Sequence, residues 1–340
     1  MRRDNCFDFL RFALAFNVVL GHMTVIALYP VLNAYSYLFD TYLSVTGFFV
    51  ISGCLIAQSY ERSTTLKSYF IKRAKRLLPA YIFVVIACAI GLAAISILSI
   101  REYFCSPDLW KYLGANLCFL NFIHPSLPGV FDSAFINDTS VNPAMWTLKI
   151  EVGFYLIIPL LFYLLRKCKK PWILLLVIYW FAVLYRNGLH YYAEQTQTSL
   201  PVFLARQLPG FMSYFTVGMA AYLYKEKWTN YKNILIIPAT ILFGIEYWLG
   251  IEYFTPLSWG IMILWVAYSV PSLNNFAKYG DISYGIYIYH GPIIKTLLTL
   301  GLFSQIGIWP ATAVYIILVL LVGFCSWHLL ENRFLKRRSC

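Results

Sequence analysis

The chain has 340 residues, 60% of them hydrophobic and only 12% charged, with a formal net charge of +12 and a mean hydropathy of +0.65. That composition excludes an ordinary soluble domain, because the apolar residues arrive in runs of about 20, the length that crosses a bilayer. The positive balance needs no nucleic-acid partner: with the N-terminus in the cytoplasm, 20 of the 27 basic residues fall in cytoplasmic segments, at 2–3, 62–76, 166–170, 225–232, 278 and 333–338, the bias expected of a multi-pass membrane protein.

Hydropathy predicts an all-α fold of about ten transmembrane helices in one membrane domain, 1–340, with both termini cytoplasmic. The expected spans are 7–28, 36–58, 80–100, 144–165, 172–189, 203–224, 233–249, 256–271, 282–301 and 309–330. The first contains Asp8, Arg11 and His22. Its internal polar residues and lack of a small-x-small cleavage site separate it from a removable signal peptide. Ionisable groups inside a membrane cost roughly 2.5–3.5 kcal/mol each for Arg or Asp and point to function by default. Arg11 and His22 are eleven residues apart, about 20° past three full turns, so they share one helix face about 16 Å apart. A polar cavity suits that stripe better than a lipid-facing wall.

Residues 59–79 read as a basic, amphipathic cytoplasmic connector ending at Pro79 and carrying Lys72, Arg73, Lys75 and Arg76. Arg73 and Arg76 are three apart and share a helix face. Two guanidinium forks suit phosphate oxygens, while an anchor on anionic lipid is the competing reading. Residues 101–143 form the longest external segment, with Pro107, Pro125, Pro128 and the polar run Asn137-Asp138-Thr139-Ser140. Long ordered loops are often functional, though this one could equally be a cap. Among the eight cysteines no pair has C-x-x-C spacing. Cys105 and Cys118 share the external segment and could bridge in an oxidising compartment.

The fourth span opens on Trp146-Thr147-Leu148-Lys149-Ile150-Glu151, followed by Phe154-Tyr155. On these boundaries Glu151 and His22 each lie about six residues, or roughly 9 Å, below the outer surface. A carboxylate and an imidazole at matched depth could pair. A histidine so oriented can take a proton from a hydroxyl as general base; a structural polar pair joining two helices is the alternative. The ninth span carries Ser283-Tyr284-Gly285-Ile286-Tyr287-Ile288-Tyr289-His290-Gly291-Pro292. His290 among these tyrosines could line a pocket or serve as an interhelical hydrogen-bonding group. Arg186, Arg206 and Lys295 sit near external ends, where snorkelling would account for them. Without a G-x-S-x-G elbow, a P-loop or an H-E-x-x-H motif, serine, cysteine and metal hydrolase chemistry lack support, and no metal site is expected.

Five motifs in order give the chain a resemblance. Phe7-Asp8-Phe9-Leu10-Arg11 through His22, Phe48-Phe49-Val50-Ile51-Ser52-Gly53, Arg73-x-x-Arg76-x-x-Pro79, the block from Trp146 to Tyr155, and Ser283-Tyr284 through His290 and Pro292 resemble the acyltransferase-3 family of integral membrane acyltransferases, of the polysaccharide O-acetyltransferase type. The likeness covers essentially the whole chain. Thr46 stands where many members carry an acidic residue, and Thr147 where serine is usual. Ending at Cys340, the chain is expected to lack the extracellular esterase-like domain fused to some members.

The resemblance implies transfer of an acyl group, usually acetyl from acetyl-CoA, to a hydroxyl of a cell-envelope carbohydrate. It implies acyl-CoA as a donor substrate with no tightly bound cofactor, a lipid bilayer as surroundings, no nucleic acid, and a bacterial inner membrane. By the same likeness Arg73 and Arg76 would clamp the CoA phosphates and Arg11 would guide the donor. His22, oriented by Glu151, would deprotonate the acceptor, with Trp146, Tyr287 and His290 lining the substrate pocket. Direct attack is favoured over a transient acyl-histidine, since no obvious nucleophile and base pair is present. The rival expectations are a transporter or flippase for a lipid-linked sugar, and an acyltransferase acting on lipid or protein.

Overall fold

Apolar runs of this length have no water to satisfy their amides in a bilayer, and they fold as helices that pair every backbone group internally. The computed structural model describes residues 5–335 apart from 133–135 and 137. Its main helices are α1 (Phe7–Ile26), α2 (Thr41–Glu61), α3 (Leu66–Gly91), α4 (Ile100–Cys105), α5 (Pro107–Leu117), α6 (Trp146–Lys167), α7 (Pro171–Thr196), α8 (Leu208–Leu223), α9 (Lys232–Leu249), α10 (Thr255–Ser269), α11 (Ser283–Thr299) and α12 (Ile308–Cys325). Among the described residues no strand forms; Ala27 and Ile136 make one isolated antiparallel bridge. The protein is an all-α, multi-pass membrane protein.

Among the described residues seven helices are long and apolar enough to cross a membrane, or eight if Thr255–Ser269 and Pro271–Tyr279, bent by 76° at their junction, count as one span. The expected spans 203–224 and 282–301 become α8 and α11, of 16 and 17 residues. Most of each is buried, so packing against protein replaces the lipid contact that sets the length of an exposed span. The connector expected at 59–79 is helical from Leu66 onward and continuous with the third span, with Pro79 inside the helix. One proline removes one ladder hydrogen bond and leaves the rest of a long apolar helix in place.

The described residues fall into two compact units. One comprises the residues up to Leu10, Val45–Phe70 and Ile150–Phe276. In it α2 and α8 cross closely: a Cβ on Gly53 would overlap the Phe215 carbonyl, and one on Gly218 the Val50 carbonyl, the small-residue crossing used where lipid gives helices no hydrophobic reason to associate. Phe154 stacks on Phe215 at 4.2 Å beside this crossing. Arg186 does not snorkel. It is 1% exposed, ion-paired with Glu252 and 5.4 Å from the Tyr214 ring. Glu246 is also buried and accepts from the Phe254 amide at 2.9 Å and the Thr255 hydroxyl at 2.8 Å, fixing the start of α10.

The other unit comprises Arg11–Ser44, Ile71–Lys149 and the residues from Ala277 onward. In it local caps fix two short helices: Ser99 and Glu102 form a capping box on α4, and the Ser106 hydroxyl accepts from the Asp108 amide at α5. Cys105 and Cys118 are separate, exposed free thiols, so the bridge considered between them is absent. Lys295 likewise does not snorkel. It is fully buried on α11 and donates to the Asp138 carboxylate at 3.0 Å and to the Ser140 carbonyl, tying residues 138 and 140 to that helix.

Candidate active site

Within the second unit, the parts of α1 from Arg11 and of α3 from Ile71, with α11, bring together residues that the sequence places more than 200 positions apart. At one end lies a charged cluster. Asp281, just before α11, takes Arg11 Nη2 at 2.8 Å and Arg76 Nη2 at 2.5 Å on one oxygen, Oδ2. Its Oδ1 accepts from the Ser283 hydroxyl at 2.5 Å. Gly280, at φ 141°, has no Cβ because one would meet the Trp327 indole, and the Arg76 guanidinium lies 5.9 Å from that ring. Burial pushes the Asp281 carboxyl up, but Arg11, Arg76 and the Ser283 hydroxyl outweigh it and hold the group below the usual carboxylate range. Arg73 sits one turn before Arg76 on α3 and is half-buried.

Three turns further along α1 lies a histidine pair. His22 Nδ1 is 2.7 Å from His290 Nε2, with ring centroids 5.0 Å apart and planes at 27°. His290 is fully buried, and its Nδ1 is 2.7 Å from the Tyr287 carbonyl oxygen. The Tyr287 hydroxyl in turn meets Thr147 Oγ1 at 2.7 Å, and Trp146, half-buried, begins the same helix as Thr147.

The backbone around His290 is shaped by Gly291-Pro292. Pro292 has no N–H to offer the Ile288 carbonyl four residues back. The Asn142 side chain supplies the donor instead, Nδ2 to the Ile288 oxygen at 2.7 Å, while its Oδ1 accepts from the Ala144 amide at 3.2 Å. A Cβ on Gly291 would come within 3.0 Å of Pro143 and 3.2 Å of Asn142 Oδ1. The Gly-Pro pair thus admits segment 142–144 against the helix turn that holds His290.

The structure therefore brings together Arg11 with Arg76, and His22 with His290, while Tyr287 contacts Thr147. Glu151 belongs to the first unit, where it accepts from the Ser52 hydroxyl at 2.8 Å; Ser52 lies in the Phe48–Gly53 motif. Sequence reasoning missed Asp281, Asn142 and Ser52 as site residues. Asp281 had a signal: it is one of only 15 acidic residues and stands two positions before Ser283, at the head of the last motif. Chemically, one end can bind an anion, while the other holds an imidazole whose partner nitrogen is fixed.

Comparison with known proteins gives the same class. The family model described as an acyltransferase domain matches residues 4–328. The chain is 26% identical to nodulation protein 10 of Rhizobium leguminosarum bv. viciae, over 98% of this chain and 94% of that protein. It is also 26% identical to an O-acetyl transferase of Shigella phage Sf6, over 100% and 98%. A peptidoglycan O-acetyltransferase of Listeria monocytogenes is 25% identical, over 93% of this chain and 56% of that protein. No solved structure matches.

Proposed function

The chain belongs to the acyltransferase family whose model spans it from residue 4 to 328, and on that premise we propose that it moves an acetyl group from cytoplasmic acetyl-CoA to a hydroxyl of a cell-envelope carbohydrate. The protein is a membrane O-acetyltransferase; donor, sidedness and acceptor are what the proposal adds. The observation that carries it is the His22–His290 pair at 2.7 Å, set on the same α1 face as an arginine cluster three turns away. General-base catalysis of acyl transfer needs an imidazole within reach of a hydroxyl, and a CoA donor needs cations for its phosphates.

In this mechanism Arg11, Arg73 and Arg76 bind the donor phosphates at the cytoplasmic end, and the thioester reaches toward His22. The acceptor hydroxyl gives its proton to His22 Nε2 as its oxygen attacks the thioester carbonyl. The C–S bond breaks, and the thiolate leaves with the proton returned by His22. Glu151, held by Ser52, is the second catalytic residue of the proposal, and Trp146 and Tyr287 shape the pocket. A carbohydrate acceptor is supported by the Listeria relative, whose name assigns it peptidoglycan. A bacterial inner membrane is the setting that joins cytoplasmic acetyl-CoA to an envelope acceptor.

The test is incorporation of labelled acetyl from acetyl-CoA into surface polysaccharide by cells lacking the protein, with wild type, and with His22→Ala at matched membrane expression. Label with wild type alone is expected. Equal label with His22→Ala would remove the catalytic assignment, and unlabelled polysaccharide in all three would remove the donor or the acceptor.

A further inference from the structure

We infer that His290 is the positioning residue that decides which nitrogen of His22 acts as the base. The inference rests on His22 as base and follows from two hydrogen bonds. The Tyr287 carbonyl can only accept, so the proton in its 2.7 Å contact with His290 Nδ1 belongs to the histidine. A neutral imidazole carries one N–H, so His290 Nε2 is left with a lone pair. The 2.7 Å contact between that nitrogen and His22 Nδ1 then requires the proton to sit on His22 Nδ1. His22 Nε2 is left unprotonated and able to accept.

The chain Tyr287 carbonyl, His290, His22 thus sets the tautomer of the base through a second imidazole, where an acidic side chain is the more familiar orienting group. Both rings are neutral in this arrangement, each with one N–H. When His22 takes the acceptor proton on Nε2, its Nδ1–H still donates to His290 Nε2 and spreads the new charge over two rings. Returning the Nε2 proton to the leaving thiolate restores the starting arrangement, so no proton is gained or lost over a turnover. A charged His290 would donate from Nε2 as well, put the His22 proton on Nε2 and abolish the base. The Asn142 bond to Ile288 and the close approach at Gly291 hold the turn that aims His290.

The experiment uses the full chain in lipid nanodiscs, labelled with 15N at its five histidines. A His22→Gln variant assigns the His22 resonances, and 15N shifts then report which ring nitrogen is protonated. Wild type is expected to show His22 neutral and protonated at Nδ1. His290→Phe is expected to return His22 to the Nε2–H tautomer that predominates in water. It should also lower kcat by about 100- to 10,000-fold, the range of a general base, with the donor KM within about twofold. His290→Gln, whose amide oxygen can accept from His22 Nδ1, should keep the Nδ1–H tautomer and recover kcat to within about tenfold of wild type. Protonation of wild-type His22 at Nε2 would overturn the inference, whatever the variants do. So would a His290→Phe protein that keeps the Nδ1–H tautomer. The tautomer is read without turnover: correct spectra beside absent acetyl transfer would sink the proposed function alone, and active enzyme with Nε2–H His22 would sink this inference alone.

Discussion

Arg11 and Arg76 meet on a single carboxylate oxygen, Asp281 Oδ2. The arrangement places two guanidinium groups side by side, each with its side chain 20% exposed. A guanidinium has five N–H groups, so an arriving phosphate can share the pair with Asp281 or take its place. Asp281→Asn is expected to lower thermal stability, since removing one partner of a buried pair costs about 3–5 kcal/mol. It should also raise the donor KM as the two arginines lose their common anchor. A melting curve in detergent and a donor titration of acetyl transfer check both. An unchanged KM together with an unchanged Tm would separate Asp281 from the donor site.

Acid should reveal the same group. The folded-state pKa of Asp281 lies below its ordinary value, because Arg11, Arg76 and Ser283 outweigh the opposing effect of burial. A carboxylate of this kind contributes stability that is fully present above its unfolded pKa, about 3.9, and is lost as pH falls toward the folded value. The stability gap between wild type and Asp281→Asn should therefore be constant from about pH 7 to 5 and shrink below about pH 4. Tm measured for both proteins across that range is the check, and a gap that widens in acid would refute the assignment.

Much of the fold was legible in the sequence because hydropathy is local: α1, α2, α6, α7, α9 and α12 lie close to the expected runs. What escaped was whatever depends on partners. Nothing in the sequence around residue 281 reveals that an aspartate there meets an arginine 205 positions earlier. Arg186 and Lys295 read as snorkelling cations since each lies near a span end, yet each finds an acidic partner and is buried. His22 and His290 were each visible as unusual membrane histidines, and their pairing was not, because only packing of α1 against α11 sets it. The basic connector merged with the third span because Pro79 punctuates a helix in a sequence more strongly than it breaks one in lipid.

Lys295 gives a third expected outcome, at residues 138–142. Burial raises the Asp138 carboxyl, and hydrogen bonds from Ser140 and the Lys295 ammonium more than reverse it, leaving the group lowered. Lys295→Met removes the cation that binds both the Asp138 carboxylate and the Ser140 carbonyl. Amide hydrogen exchange of residues 138–142 should then accelerate by at least about tenfold, as local opening becomes easier, while α12 stays protected. Unchanged exchange at 138–142 would show that the loop is held by other contacts.

Glu151→Gln separates charge from shape in the first unit. Glutamine keeps an oxygen for the Ser52 hydroxyl, which Glu151 now accepts at 2.8 Å, and loses only the negative charge. If Glu151 is catalytic, kcat should fall by about 100-fold or more with Tm unchanged, whereas Ser52→Ala should cost less activity. Full activity in Glu151→Gln would reduce the residue to a packing role.

The turn that carries His290 offers a cleaner cycle. Asn142→Ala leaves the Ile288 carbonyl, which Pro292 cannot serve, without the donor that now reaches it at 2.7 Å. A buried unsatisfied acceptor costs about 1–3 kcal/mol. Pro292→Ala restores an amide N–H at the position a helix would use, so the double variant Asn142→Ala/Pro292→Ala should be more stable than Asn142→Ala alone. The coupling between the two sites should be of the order of 1 kcal/mol, within the range for residues that share one hydrogen bond. Acetyl transfer should follow a different order, since the restored ladder straightens the turn that aims His290 at His22: the double variant should regain stability without regaining full activity. Additive Tm changes would mean that Asn142 and Pro292 do not act on the same carbonyl, and complete recovery of activity would mean that the bend at Pro292 does not position His290.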